Sequence, residues 1–180
     1  MTCGLRQGEL LGLRWEDVDL EAPTLTVRRQ LQRSRDGSGI ISGPTKNKKN
    51  RIIRLGSNTV EVLKAHKERQ AEEIESARGY WKDPGLVFTT KIGTPLDASN
   101  LVSRHFKPLL KRTGLPMIRW HELRHGCGSF LLSQGISIKV VQEILGHSSL
   151  TVTMDVYSHV LPDLQEKAAA AMDNLLSENW

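Results

Sequence analysis

Apolar positions recur with helical spacing along most of the chain and alternate with polar ones mainly in its first third. Alternation over 24–31, the apolar pair at 40–41 and the segment 51–55 predict a small three-stranded antiparallel sheet, with a turn at 35–39 and a lysine-rich loop at 44–50. We therefore expect an α+β fold that is mostly helical. Periods near 3.6 residues predict helices over 9–15, 59–77, 99–113, 121–134, 137–146, 149–158 and 161–177.

The two ends of the chain carry separate expectations. Met1-Thr-Cys-Gly leads at once into leucine-rich sequence with no preceding element to pack against, so we expect 1–180 to be one domain truncated at its N-terminus. The last expected helix, 161–177, has a single apolar stripe of leucines and alanines, which favours packing within the molecule.

Composition is that of a soluble globular domain. The 180 residues are 38% hydrophobic and 25% charged, and they are long enough to bury a core. The net charge of +5 is compatible with nucleic-acid binding, although a merely basic protein explains it equally well. Cys3 and Cys127 form neither a disulfide framework nor a metal-ligand spacing. Because the sequence has no membrane-length apolar run and no signal-peptide pattern, we expect no membrane contact and a cytoplasmic location.

The run HELRH at 121–125 is the most informative chemical motif, and it has two incompatible interpretations. As H-E-x-x-H on a helix, it places His121 and His125 on one face as zinc ligands, with the intervening glutamate as the base of a hydrolase. The third-ligand position of the extended pattern holds Leu131, although Glu143 is a possible distant ligand. The zinc interpretation leaves the other basic and tyrosine motifs of the chain unexplained.

The other interpretation is metal-free cleavage of a phosphodiester. Such a reaction needs a nucleophile, cations on the non-bridging oxygens, and an acid for the leaving oxygen. Arginine suits the second task because its planar guanidinium binds phosphate bidentately and keeps its charge. Tyrosine can form a covalent phosphoester, and histidine or lysine can move the protons.

Five segments resemble the motifs of the tyrosine recombinase (phage integrase) family, in that family's order and at plausible spacings. The resemblance extends from Thr2 to about Val160. It implies the α+β fold of the family's catalytic domain, to which other members add an N-terminal helical domain. The segments are TCGLRQGELLGLRWED at 2–17, TKNKKNRIIRL at 45–55, HELRHG at 121–126, LGHSS at 145–149 and TMDVYSH at 153–159.

The resemblance implies a site-specific DNA recombinase that cuts and rejoins DNA through a 3′-phosphotyrosine, without a metal or other cofactor. The roles that it implies are nucleophile for Tyr157, phosphate neutralisation for Arg6 and Arg124, leaving-group acid for Lys46 (with Lys48 as a substitute), proton transfer for His121, and a phosphate hydrogen bond for His147.

Neighbours of these residues are expected to play supporting or structural roles. Glu9 either caps the first helix or holds the active-site arginine or histidine in place. We expect His125 to be structural. Gly126 and Gly128 stand where the family usually has Thr and Ala, and we expect them to cost helix propensity without touching a catalytic group.

DNA affinity is expected from basic residues that contact phosphates and so position the DNA without specifying its sequence. By resemblance, the partner is double-stranded DNA, and the chain acts as a homo-oligomer, a tetramer, in which 161–177 docks onto a neighbouring subunit. Two more alternatives stay open: a non-catalytic DNA-binding remnant of an integrase, and a type IB topoisomerase. The expected contacts are Arg28, Arg29, Arg33, Lys48, Lys49, Arg51, Arg104 and Lys107.

Overall fold

The computed structural model describes residues 3–34, 36–37, 39–45, 49–82, 85–157, 169–170 and 173–174, and the statements below concern these residues. Strands lie in the first third and helices dominate the rest, so the expected α+β, mostly helical class is confirmed. The elements are α1 (Gln7–Leu11), a 3-10 turn (Trp15–Asp17), β1 (Val18–Asp19), β2 (Thr24–Val27), β3 (Arg29–Arg33), β4 (Ile40–Pro44), β5 (Arg51–Arg54), α2 (Ser57–Ser76), α3 (Ala98–Leu101), a π-helical turn (Val102–Phe106), α4 (Lys107–Arg112), α5 (Trp120–Ser133), α6 (Ile138–Leu145) and α7 (Leu150–Tyr157).

The strands form two antiparallel sheets. The expected three-stranded sheet is present, but β1 takes the place expected for 40–41. β2 lies between β1 and β5, with Leu25 opposite both Val18 and Ile53. β3 and β4 form a separate two-stranded ribbon. The first expected strand divides at Arg28, because the alternation of side chains into the core stops at Val27.

Two glycines hold this ribbon against α1. A Cβ on Gly8 would lie 2.6 Å from the carbonyl oxygen of Leu31, and one on Gly12 would lie 3.0 Å from the Leu31 nitrogen. Backbone therefore meets backbone, a contact that side chains would block. It fixes α1, the element that carries Glu9 and follows Arg6.

Two apolar clusters join the remaining elements. The smaller one joins α5, α6 and α7 through Leu132, Val141, Leu145 and Tyr157. Burying a side chain of this size contributes about 2 kcal/mol, so the tyrosine's helix is tied to the helices that carry the HELRH and LGH motifs. The larger one joins the three-stranded sheet to α2 through Leu13, Leu25, Val27, Ile53, Leu55, Val60, Leu63 and Val87.

Helical spacing predicts the later helices well and the first one poorly. α5, α6 and α7 begin and end at or next to the expected residues, and the expected helix 99–113 is present with a π-helical turn inside it. The expected helix 9–15 is wrong in extent, since α1 ends at Leu11. Most of 161–177 lies outside the described residues. No described helix combines the length and the apolar character needed to cross a membrane.

Leu25→Ala should lower the free energy of unfolding by about 3 kcal/mol, because truncation leaves a cavity at a core position that is 2% exposed. Urea denaturation followed by circular dichroism measures the change. Ile52→Ala is the control on the adjacent strand, where the side chain is 70% exposed, and we expect a change below about 0.5 kcal/mol. Equal losses in the two variants would contradict this placement of the core.

Candidate active site

Three arginines from separate parts of the chain converge on the C-terminal end of α6. The last carbonyls of a helix have no partner within it and lie at the negative end of its dipole, so positive donors stabilise them. Gly146 ends α6 in the left-handed conformation, with φ at 65°. The donor–acceptor pairs are Arg51 Nε with Ile144 O (2.9 Å), Arg124 Nη2 with Leu145 O, and Arg6 Nη2 with Gly146 O (3.1 Å).

Glu9 links two of these arginines through a fully buried carboxylate. It accepts hydrogen bonds from the backbone N–H of Arg6 (2.9 Å), from Arg6 Nη1 (2.8 Å), and from Arg51 Nη1 and Nη2 (3.1 and 2.6 Å). Burial alone would raise the pKa of Glu9, but the hydrogen bonds and charge of Arg51 and the hydrogen bonds of Arg6 outweigh it, so the pKa is lowered. Glu9 thus both caps α1 and holds the Arg6 guanidinium.

Arg124 lies in α5 and is 4% exposed. Besides the carbonyl of Leu145, its guanidinium binds the carbonyl of Gly4 through Nη1 at 2.8 Å. Burial, with the charge of nearby Arg6, lowers the pKa of Arg124 to about 10, which leaves it positive at pH 7. Its described partners are neutral carbonyls, so its charge is available to attract an anion.

His147 follows the end of α6 and packs against α7. Its Nδ1 lies 2.9 Å from Oγ1 of the buried Thr153, and its ring stacks on that of Tyr157 with centroids 6.4 Å apart. Burial, together with the charges of Arg124 and Arg6, lowers the pKa of His147 to about 4, so the imidazole is neutral at pH 7. When the Thr153 hydroxyl donates to Nδ1, Nε2 carries the proton and is a donor.

Tyr157 is packed inside the site with 1% exposure. Its ring lies directly on the backbone of α5 at Gly128, where a Cβ would come within 2.3 Å of both Cζ and Oη. Burial raises the pKa of Tyr157, although the charge of Arg124 opposes it, so the phenol is protonated at pH 7. The expectation that Gly128 touches no candidate catalytic group is therefore wrong.

One histidine of α5 lies beside the tyrosine, and a second packs against the first. The rings of His121 and His125 meet edge to face with centroids 4.7 Å apart, and the ring of His125 lies 6.3 Å from that of Tyr157. Burial, followed by the charges of His125 and Arg124, lowers the pKa of His121, which is neutral at pH 7. The sequence predicts a structural role for His125, but its ring lies next to Tyr157. The four-residue spacing from His121, which puts both rings on one face of α5, is the sequence signal that indicates this location.

The glutamate of the HELRH run serves the start of α5. Glu122 accepts hydrogen bonds from the backbone N–H and the Nε of Arg119, at 2.8 and 3.1 Å, in a capping box that lowers its pKa. Among the residues that the structure describes, no three His, Cys, Asp or Glu side chains group as potential metal ligands. The run thus contributes two histidines and an arginine to the site around Tyr157.

A family model described as the phage integrase family matches residues 1–163. The chain belongs to this family. A tyrosine recombinase XerC-like protein of Caldanaerobacter subterraneus is 36% identical and covers 96% of this chain and 46% of its own length. The ICEBs1 integrase of Bacillus subtilis is 31% identical, with the same coverages of 96% and 46%. The chain therefore spans about half the length of the curated relatives it matches.

Solved structures of integrases share this fold. The Tn1549 transposon integrase in complex with transposon right end DNA has a TM-score of 0.78 and 26% identity, over 97% of this chain and 56% of that chain. The XerA recombinase has a TM-score of 0.67 and 25% identity, over 92% and 54%. The recombinase catalytic-domain fold expected from the sequence is confirmed.

The basic residues expected to contact DNA in this integrase-family chain have different surroundings. Arg28 and Arg29 face the acidic 3-10 turn: Arg29 Nη1 lies 2.6 Å from Glu16 Oε1, and Arg28 Nε lies 3.3 Å from an oxygen of the buried Asp17. Their charge is thus partly offset within the molecule. Arg28 is nevertheless exposed, and the other exposed members of the expected set are Arg33, Lys49, Arg104 and Lys107.

Arg51 and Lys48, the two remaining members of the expected set, differ from these, as does the expected catalytic lysine, Lys46. The side chain of Arg51 is 12% exposed and turned inward to Glu9 and α6, so the geometry does not suit the expected phosphate contact. Lys46 and Lys48 lie outside the described residues, so the identity of the catalytic lysine stays a prediction.

Glu9→Gln should destabilise the protein at pH 7 but not in acid. Because folding lowers the pKa of Glu9, its carboxylate stabilises the folded state above the ordinary pKa of 4.5 and loses that contribution as the pH falls through the folded pKa. Glutamine resembles a protonated glutamate at every pH. Urea unfolding should show a deficit of about 3 kcal/mol at pH 7, shrinking below pH 4.5. A deficit that does not change with pH would contradict the buried ion pairs.

Gly128→Ala should displace Tyr157 into solvent and bring its pKa down toward the ordinary value of 10, because burial is the main cause that raises it. Ultraviolet titration measures the pKa of Tyr157. The chain has one other tyrosine, Tyr80, which is 79% exposed. Gly126→Ala is the matched control on the same helix: it gains the same helix propensity, about 1 kcal/mol, but its Cβ meets no atom within 4 Å. A Gly128→Ala titration curve that coincides with wild type would contradict the packing.

Proposed function

We propose that the chain is the catalytic domain of a site-specific tyrosine recombinase, an integrase that cuts and rejoins double-stranded DNA through a 3′-phosphotyrosine. The observation that carries the proposal is the convergence of arginines, a neutral histidine and a tyrosine at the end of α6 in a member of the phage integrase family. The solved complex of the Tn1549 integrase with transposon DNA supports a DNA substrate.

Strand cleavage is a transesterification. Tyr157 Oη attacks phosphorus, so that an Oη–P bond forms as the P–O5′ bond breaks. The phenol proton passes to neutral His121, and Lys46, the lysine that the resemblance implies, protonates the leaving O5′. One phosphoester bond replaces another, so the bond energy is retained in the phosphotyrosine. The later attack of a 5′-hydroxyl on the phosphotyrosine therefore reseals the strand without ATP.

Arg6 and Arg124 neutralise the charge on the phosphoryl oxygens. Both guanidinium groups are already held by backbone carbonyls, so little reorganisation is needed when the phosphate arrives. His147 donates a hydrogen bond to the same phosphate through Nε2, because Nδ1 faces Thr153. Tyr157 must leave its position against Gly128 to reach the phosphate, since it is 1% exposed.

The proposal extends to assembly and location. Following the resemblance, the chain acts as a homotetramer on DNA, with 161–177 docked onto a neighbouring subunit. It acts in the cytoplasm, where cellular DNA is accessible. The exposed basic residues Arg33, Lys49, Arg104 and Lys107 are the phosphate contacts that position the duplex.

Tyr157→Phe should abolish a covalent protein–DNA adduct that the wild type forms, because it removes the attacking oxygen. The probe is a library of DNA duplexes with randomised cores, each carrying one nick, so that cleavage beside the nick releases a short fragment and traps the adduct. Denaturing gels detect the adduct, and sequencing of the trapped DNA identifies the target. Tyr80→Phe is the control at the exposed tyrosine, and we expect it to form adduct at the wild-type rate.

Three results would overturn parts of the proposal. An adduct with the Tyr157→Phe variant would exclude Tyr157 as the nucleophile. Wild type that binds the library without any adduct would favour a non-catalytic DNA-binding remnant. Relaxation of supercoiled plasmid without strand exchange would favour a type IB topoisomerase.

A further inference from the structure

Arg51, the first residue of β5, directs its side chain away from solvent and into the site. Its guanidinium makes three described hydrogen bonds: two to the buried carboxylate of Glu9 and one, from Nε, to the carbonyl of Ile144. The side chain is 12% exposed. A phosphate contact needs donors that face solvent, so this geometry indicates that Arg51 has a structural role within the protein.

Arg51 also lies on the residue that ends α6. A Cβ on Gly146 would lie 2.8 Å from Arg51 Nη1 and 3.0 Å from its Cδ and Cζ, so the close approach needs glycine at this position. The next residue is His147, whose backbone N–H closes the helix end by donating to the carbonyl of Gln142 at 3.1 Å. Arg51 therefore packs over the bend that sets the direction of His147.

Only arginine matches this set of acceptors. The planar fork of its guanidinium meets both carboxylate oxygens of Glu9, while Nε donates in a third direction to α6. A lysine ammonium keeps the charge but lacks the fork. The same carboxylate holds Arg6, so a shift of Glu9 would move Arg6 as well.

We propose that Arg51 is a positioning residue for the strand-transfer reaction, which joins Glu9, and with it Arg6, to the end of α6 and so fixes His147 beside Tyr157. This inference rests on the proposed recombinase function. Arg51 itself touches neither the scissile phosphate nor the nucleophile; it acts through Glu9 and the α6 end.

The test compares Arg51→Met, Arg51→Lys and the control Lys139→Met in the full chain. Lys139→Met removes exposed contacts from the first turn of α6, an ion pair with Glu143 at 3.5 Å and a hydrogen bond to Gln142 at 3.4 Å. Three quantities are measured: the rate of adduct formation at saturating trapped target DNA, the salt dependence of affinity for a random-sequence duplex, and amide hydrogen exchange at Gly146 and His147.

We expect Arg51→Met to slow adduct formation by about 100-fold, since a small misplacement of reacting groups costs that much. Its salt dependence of DNA affinity should stay at the wild-type value, and the amides of Gly146 and His147 should exchange faster. Arg51→Lys should fall between Arg51→Met and wild type in both rate and exchange. Lys139→Met should match wild type throughout. Unchanged amide exchange in α2 shows that a variant is folded. If Arg51→Met does not fold, the comparison of Arg51→Lys with wild type still tests the role.

Two results would overturn the inference. One is a wild-type adduct rate together with wild-type amide exchange in Arg51→Met. The other is unchanged amide exchange in Arg51→Met together with a slope of log affinity against log salt concentration that is lower by about one, because that change identifies a lost phosphate contact. A wild type that forms no adduct overturns the recombinase function and the catalytic part of this role. The exchange measurement then decides separately whether Arg51 holds the α6 end.

Discussion

The backbone carbonyls that end α6 are the constraint on which this site depends. A helix leaves these acceptors without intrahelical partners, and here guanidinium groups from the start of α1, from β5 and from α5 satisfy three in succession. Capping one helix end therefore brings three distant parts of the chain together. The buried carboxylate of Glu9 offsets the repulsion between two of the guanidiniums, and the left-handed Gly146 lets the chain turn beneath them toward His147.

The same cluster also influences the protonation states of the side chains around it. The charges of Arg124 and Arg6 add to burial in lowering the pKa of His121 and His147. His147 is thus a neutral imidazole at pH 7 beside a phenol that burial keeps protonated. Because the described partners of Arg124 are carbonyl dipoles and not carboxylates, its charge is held in place but not cancelled.

The sequence predicts what local spacing or a family motif encodes. Helical periodicity places α5, α6 and α7, and the resemblance finds Arg6, Arg124, His147 and Tyr157, which the fold brings to one helix end. Other features depend on contacts that no local pattern reveals. The β3–β4 ribbon is separate from the other sheet because the apolar face ends at Val27. Arg51 has the sequence pattern of a surface cation, and only the fold shows its ion pair with Glu9. For Gly128, likewise, the sequence predicts only a loss of helix propensity, and the contact with the ring of Tyr157 is visible only in the fold.

In the proposed reaction, Arg6 is anchored at the α6 end and neutralises the charge of the scissile phosphate. A methylphosphonate at that position replaces a charged non-bridging oxygen with a methyl group and so removes the charge to be neutralised. The measurement is the rate of adduct formation by Arg6→Ala on the phosphate and methylphosphonate forms of the trapped target. We expect Arg6→Ala to be severely slowed on the phosphate and to regain adduct formation on the neutral analogue. Equal inactivity on both forms would contradict this role.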